Sequence, residues 1–236
     1  MKDIFLKYLK ILAEALDWTK IDYEQELPED FIREFKDKVN WDNISRCQIL
    51  SEKFIREYKD KVYWKCISAN QTLSEPFIRE HIDYLDWNLI IHNQTISESF
   101  IREYKDNNIN IFQWLAICEY QILSEDFIRE FKDEVIWKMI SEKQKLSESF
   151  IGEFKDIVYW DIISQFQKLS ENFIREYEDS VTWEYISKHQ NLPEGFIREF
   201  RTKLDLDILV KRKIITEEFV KEMKNEKVTR AELLDI

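Results

Sequence analysis

Residues 123–145 read LSEDFIREFKDEVIWKMISEKQK, and residues 146–168 read LSESFIGEFKDIVYWDIISQFQK. The two strings share a Leu-Ser-Glu start, a Phe-Ile pair, a Trp and a Gln, each at the same place in 23 residues. Working outward, Phe-Ile recurs at Phe31, Phe54, Phe77, Phe100, Phe127, Phe150, Phe173 and Phe196, with Phe-Val at Phe219. Seven of these eight spacings are 23 residues and one is 27, the excess falling near residues 107–110. All eight Trp occupy a single slot, from Trp18 to Trp183, and Leu206 fills it in the ninth unit. A fixed period of this length is the signature of a solenoid, whose units bury their apolar faces only by stacking on neighbours.

With Trp as position 0, two short helices fit the unit. Helix A opens at Ser (+10) in Ser51, Ser74, Ser97, Ser124, Ser147 and Ser170, residues suited to accept a backbone N–H at a helix start. Pro28 and Pro193 take that slot elsewhere, which a first turn tolerates. Glu (+11) suits the positive end of the helix dipole and pairs with Arg (+15) one turn on. Phe (+13), Ile (+14) and Phe or Tyr (+17) form the apolar edge. Helix B carries Trp, Ile (+3), Ser (+4) and Gln (+7), a stripe at helical spacing. Ser is small enough to let neighbouring B helices approach, and Gln closes the helix and braces the next turn. Trp41, Trp64, Trp87, Trp114, Trp137, Trp160 and Trp183 are therefore assigned to the repeat core, as are Gln48, Gln71, Gln94, Gln121, Gln144, Gln167 and Gln190. The expected fold is all-α: an α-solenoid or superhelix of about nine to ten two-helix repeats, as the period implies.

One repeat domain is expected over 1–236, with an N-terminal cap helix over 1–17 and regular repeats over 18–206. A degenerate repeat and cap follow over 207–236, where Lys213 takes the Gln slot and a capping box at Thr229–Glu232 opens a last helix. The four-residue insertion reads as a bulge between helix A and helix B of a central unit.

Composition narrows the function. Two glycines, Gly152 and Gly195, cannot build a Gly-rich phosphate loop. The net charge of −12 weighs against binding nucleic acid or an anionic membrane. Cys47, Cys66 and Cys118 form no CxxC pair, which points to a reduced, cytoplasmic setting. Lys7, Lys10 and Glu14 interrupt the apolar start of the chain, and no stretch has the length of a membrane span. No metal-ligand spacing, cofactor motif or catalytic constellation stands out from the repeat, so no enzyme, metal or cofactor is expected.

Charge divides by helix. The A positions total −10 over eight units, the B positions only +2 over seven. The B residues also vary from unit to unit. A partner surface is expected at Arg46, Lys65, Asn70, His92, Asn93, Tyr120, Lys138, Lys143, Phe166, Lys188 and His189. The first reading is a scaffold that binds another protein or peptide through this face. The alternative is an acidic inhibitor whose A rows imitate nucleic-acid phosphates and occupy a basic groove. Gly152 breaks the Arg row and leaves room for a pocket.

The run Phe31-Ile-Arg-Glu-Phe-Lys-Asp, followed by Trp41-x-x-Ile44-Ser45-x-x-Gln48, resembles short tandem repeats in proteins of large DNA viruses. The period and the helix A start are also similar to leucine-rich-repeat variants, which stack two short helices per unit into a superhelix. Gln at +7 departs from that family's Asn-Pro. The resemblance covers 18–223. It implies a non-enzymatic binding protein, in a viral setting a host-interaction or decoy protein in the host cytoplasm, and it carries no catalytic residue.

Overall fold

The computed structural model describes residues 23–105 and 109–223. The N-terminal cap expected over 1–17, Trp18 and the capping box at 229–232 lie outside the described residues. Among those described, every regular element is a helix. The repeat pattern reads as one domain, and the chain divides into two compact units, Met1–Ile117 and Cys118–Ile236. Each is a run of two-helix repeats.

In the first unit the A helices are Glu29–Glu34, Glu52–Glu57, Glu75–Glu80 and Glu98–Tyr104. Its B helices Trp41–Cys47, Trp64–Asn70 and Trp87–Asn93 alternate with them, and Ile111–Tyr120 follows. The second unit has A helices Glu125–Glu130, Glu148–Glu153, Glu171–Glu176 and Glu194–Glu199. Its B helices are Trp137–Lys143, Trp160–Phe166, Trp183–His189 and Leu206–Lys211. Ser51, Ser74, Ser97, Ser124, Ser147 and Ser170 each accept the N–H of the Phe three residues on. Helices of six or seven residues are too short to stand alone, so contacts between repeats supply the stability.

Those contacts are of three kinds. Ile at +3 and +14 is fully buried wherever it stands among the described residues, and in the degenerate repeat Leu209 is buried and Val220 half-buried. Phe at +13 is buried alongside it, and Phe54, Phe77, Phe100, Phe127 and Phe150 have no exposed surface. The tryptophans, assigned to the core from their regular spacing, stand at its edge. Trp114 alone among the seven described is buried, and the others are half-buried. Their indoles lie against the following helix A, as Trp41 does against Phe54 and Tyr58 with centroids 6.1 and 5.0 Å apart. Trp41, Trp64, Trp137, Trp160 and Trp183 donate Nε1 to the carbonyl five residues back, Trp41 to Lys36 at 2.8 Å and Trp160 to Lys155 at 2.9 Å. An indole fully withdrawn from water would have to satisfy that N–H inside.

Gln (+7) is a rung between repeats. Gln71 Nε2 donates to the Gln48 carbonyl at 2.7 Å, and its Oε1 accepts the Leu50 N–H at 2.9 Å. Gln144 does the same to Gln121 and Leu123, and also reaches the Cys118 carbonyl at 3.0 Å. The rung thus satisfies the orphan carbonyls that end each B helix. In the degenerate repeat Arg212 holds this place, donating through Nη1 to the Ser187 and Gln190 carbonyls. Lys213, expected there by register, is exposed with φ of 60°. The last B helix ends at Lys211, and the left-handed residue turns the chain away, leaving position +6 facing the ladder.

Ser (+4) does more than make space. Ser164 Oγ donates to the Trp160 carbonyl at 2.6 Å and accepts the Thr182 N–H at 2.9 Å, at the start of the next B helix. Cys118 Sγ accepts the Ile136 N–H at 3.4 Å in the same way. Ser164→Ala leaves that half-buried N–H unpaired and should cost about 1–2 kcal/mol. Ser164→Cys should cost less, because Cys118 shows that sulfur fits the slot. Urea unfolding midpoints of the two variants check this.

At Ile91 the hydroxyl is missing, and the following B helix starts differently. Asn110 Oδ1 accepts the Phe112 and Gln113 N–H groups at 2.9 and 3.1 Å, while Gln113 Oε1 accepts the Asn110 N–H at 2.9 Å. This is a reciprocal cap. The inserted stretch read as a bulge therefore lengthens helix B at its N-terminus to Ile111–Tyr120, while residues 106–108 lie outside the described residues.

Candidate interaction surface

Within each unit, successive B helices approach more closely, Cα to Cα, than successive A helices do. The small residue at +4 allows the first, and Phe at +13 holds the second apart. The B helices are accordingly the closely packed row in each unit. All eleven residues expected to meet a partner are exposed on it.

The two units use this row differently. In the first, Arg46 pairs with Asp42 at 3.1 Å. Asn70 and Asn93 donate to the carbonyls of Cys66 and Leu89 four residues back, at 3.0 and 2.9 Å, and His92 Nδ1 lies 2.7 Å from the Asn88 carbonyl. These side chains finish their own helices. Lys65 completes the set as an exposed cation.

In the second unit position +6 carries Tyr120, Lys143, Phe166 and His189 in four successive repeats. Tyr120 and Phe166 are 48% and 50% exposed. Lys143 pairs with Glu142 at 2.8 Å, a bond that raises its pKa, and Lys188 pairs with Glu184. Lys138 stands exposed at +1. The line is near neutral, aromatic and edged with paired charge.

Spacing alone missed part of the apolar surface. Ile122, two residues beyond Tyr120, is 91% exposed. Its signal was present: a β-branched apolar residue at a slot that Ile49, also 91% exposed, fills in the first unit and where most other repeats carry Glu, Thr, Lys or Asn. In the first unit Ile111 and Phe112, on the lengthened helix, are 66% and 77% exposed. Reading the insertion as a bulge hid them.

The A face is built of ion pairs. Arg33 Nε meets Glu57 of the next repeat at 2.9 Å, and Arg56 and Arg129 repeat this with Glu80 and Glu153 at 2.8 Å. Each guanidinium also leans on the Glu one turn back, as Arg33 does on Glu29 at 3.2 Å. That Glu in turn accepts the N–H of the next repeat's Ser, Glu29 from Ser51 at 2.7 Å and Glu52 from Ser74 at 2.7 Å. The Arg33 bond holds the Glu57 carboxyl below its ordinary pKa. Burial works to raise Glu52 and Glu75, but the bonds from Ser74 and Ser97 and the facing arginines outweigh it, and both stand lowered.

Lowered carboxylates stabilise the fold above the unfolded glutamate pKa of about 4.3, and that contribution is lost as pH falls through the folded values. The urea midpoint should hold from pH 7 to about 5.5 and then drop toward pH 3. The drop should be shallower in Arg33→Met, whose Glu57 has lost its partner.

Cys66 and Cys118 are buried free thiols, and burial pushes Cys118 up to about 11. Among the described residues no group of His, Cys, Asp and Glu could hold a metal ion, and no helix is long and apolar enough to cross a membrane. No family model, curated protein or solved structure matches the chain.

Proposed function

We propose that this chain is a non-enzymatic scaffold that binds another protein or a peptide through its B-helix row. The second unit supplies the main contact, through Tyr120, Lys143, Phe166 and the neighbouring Lys138, Lys188 and His189. The observation that carries this reading is the exposed, aromatic, near-neutral line on the B helices of the second unit. Exposed rings flanked by cations suit a polypeptide, because aromatic and long basic side chains bury much area with little flexibility to lose. The serines at +10 cap helices, those at +4 join neighbouring repeats, and many glutamates meet arginines, which supports reading no catalysis into them.

The acidic-inhibitor alternative asks the A row to present free carboxylates. Glu29, Glu52, Glu57 and Glu80 instead accept bonds from the chain's own Arg and Ser groups, so much of that charge is already engaged. A host-interaction role would be one instance of the scaffold reading. The test is affinity capture from cell lysate with the wild-type chain, with Tyr120→Ala/Lys143→Ala/Phe166→Ala, and with Glu57→Gln/Glu80→Gln. The triple variant should lose the captured protein and the double variant should keep it. The opposite pattern would support the acidic reading.

A further inference from the structure

Arginines of the A row share one seat. Arg33, Arg56, Arg79, Arg129, Arg175 and Arg198 each lay the guanidinium over the +13 Phe ring of the following repeat, with Cζ 4.4–5.1 Å from the centroid. Each also faces the +16 Glu of that repeat, Arg129 meeting Glu153 at 2.8 Å and Arg175 meeting Glu199 at 2.9 Å. The seat is thus an aromatic face with a carboxylate at its rim and a second from the previous repeat.

At Gly152 the seat is built and its arginine is absent. An open hollow of about 490 Å³ lies there, lined by Gly152, Glu148, Asn172, Phe173, Glu176 and Tyr177 among others. Phe173 is the +13 ring, Glu176 the +16 carboxylate and Glu148 the +11 carboxylate of this place in the repeat. Among the described residues no cation lies over the Phe173 ring or within ion-pair distance of Glu176. Lys155, which lines the hollow beyond Tyr177, makes no ion pair with Glu176 either. Glu148 answers the loss locally, since its Oε2 accepts the Ser170 hydroxyl at 2.9 Å, where the same oxygen of Glu29 and Glu171 meets an arginine. Tyr177 Oη stands 2.9 Å from where a Gly152 Cβ would be. Any side chain at 152 must push the Tyr177 hydroxyl aside, and the hollow opens to solvent.

We infer that this hollow is a socket for an arginine side chain presented by a polypeptide partner. The occupant follows from the chain itself, because a ring face between two carboxylates holds a guanidinium at the equivalent places of other repeats. A planar guanidinium stacks on a ring and pairs with a carboxylate at once, which an ammonium does less well. The socket lies on the A row, so it is a second contact point, independent of the B-row reading.

The test needs no partner. The ring signals of Phe173 and Tyr177 are followed by NMR in the full chain during titration with N-acetyl-arginine methylamide, the lysine analogue and free arginine. The arginine amide should give a saturating shift with millimolar affinity, at least threefold tighter than the lysine amide, as expected for an exposed cation–π seat. Phe150, covered by Arg129, should not respond. Glu176→Gln should weaken binding severalfold, and Gly152→Arg should abolish it, its side chain displacing the Tyr177 hydroxyl and filling the seat from within. No shift at Phe173, an equal shift at Phe150, or binding that survives in Gly152→Arg overturns the socket. Free arginine binding more tightly than its blocked form assigns the hollow to a small molecule and overturns the polypeptide partner. A sedimentation coefficient that rises with concentration in the wild type and not in Gly152→Arg makes the occupant a second copy of this chain, and overturns a separate partner.

Discussion

Gln144→Leu should lower stability by about 3–6 kcal/mol, a loss large against the whole stability of an ordinary domain. The Gln144 side chain is buried and serves three backbone groups of the preceding repeat: the Leu123 N–H at 2.9 Å and the Cys118 and Gln121 carbonyls at 3.0 and 2.8 Å. Leucine fills similar space and serves none of them. A buried group left unpaired costs about 1–3 kcal/mol, and the three stand side by side. Gln144→Glu separates hydrogen bonding from volume. An ionised carboxylate there would face two carbonyls, so burial and those dipoles raise the pKa of the new acid in the folded chain. A raised pKa gives stability that is present below the unfolded value of about 4.3 and lost as pH rises through the folded one. Relative to wild type, the Glu variant should therefore be least impaired near pH 4 and most impaired at pH 8. Urea unfolding at the two pH values checks this. A Leu variant within 1 kcal/mol of wild type, or a Glu variant with no such trend, means the rungs contribute little.

The second large effect is Phe150→Ala, expected to cost about 3–5 kcal/mol, with Trp137→Phe costing about 1 kcal/mol. Phe150 has no exposed surface and lies 4.7 Å from Phe154 and 6.3 Å from Trp137, under the Arg129 guanidinium at 5.0 Å. Removing the ring opens a cavity at the meeting of two repeats and strips the seat from under Arg129. Trp137 is half-buried, and its replacement by Phe keeps a ring in place while losing the Nε1 bond to the Lys132 carbonyl at 2.9 Å. Thermal and urea unfolding of both variants rank them. A larger loss for Trp137→Phe would return the tryptophan to the centre of the core.

That ranking marks how far the sequence could be read. The two-helix repeat, the Ser caps and the buried Ile positions follow from periodicity, because period and hydrophobicity report which faces meet. Burial depth does not follow. Trp137 and Phe150 are equally regular in the sequence, and only the packed structure shows that an indole needing an outlet for its N–H stays at the edge. The sequence marked Gln as a brace but not its direction: expected to hold the next turn, Gln144 reaches back 23 residues to Gln121, and the forward bond from Ser164 to Thr182, 18 residues on, had no signal. The handover from Lys213 to Arg212 depended on one left-handed residue. For the surface, the variable B slots indicated where exposed residues would lie. They did not separate the self-capping Asn70 and Asn93 from the outward Tyr120 and Phe166. At Gly152 the sequence showed a missing arginine, and the structure added the ring and two carboxylates left in place.

The central claim, that this chain binds a polypeptide through its B row, is tested most directly by photo-cross-linking. A photoreactive residue is placed at 166 on the B row or at 53 on the A row, and each chain is irradiated in the same lysate with excess unlabelled wild type as competitor. The expected result is one discrete protein adduct from position 166, removed by the competitor, and none from position 53. A competed adduct from position 53 alone, or no discrete adduct from position 166, would contradict it.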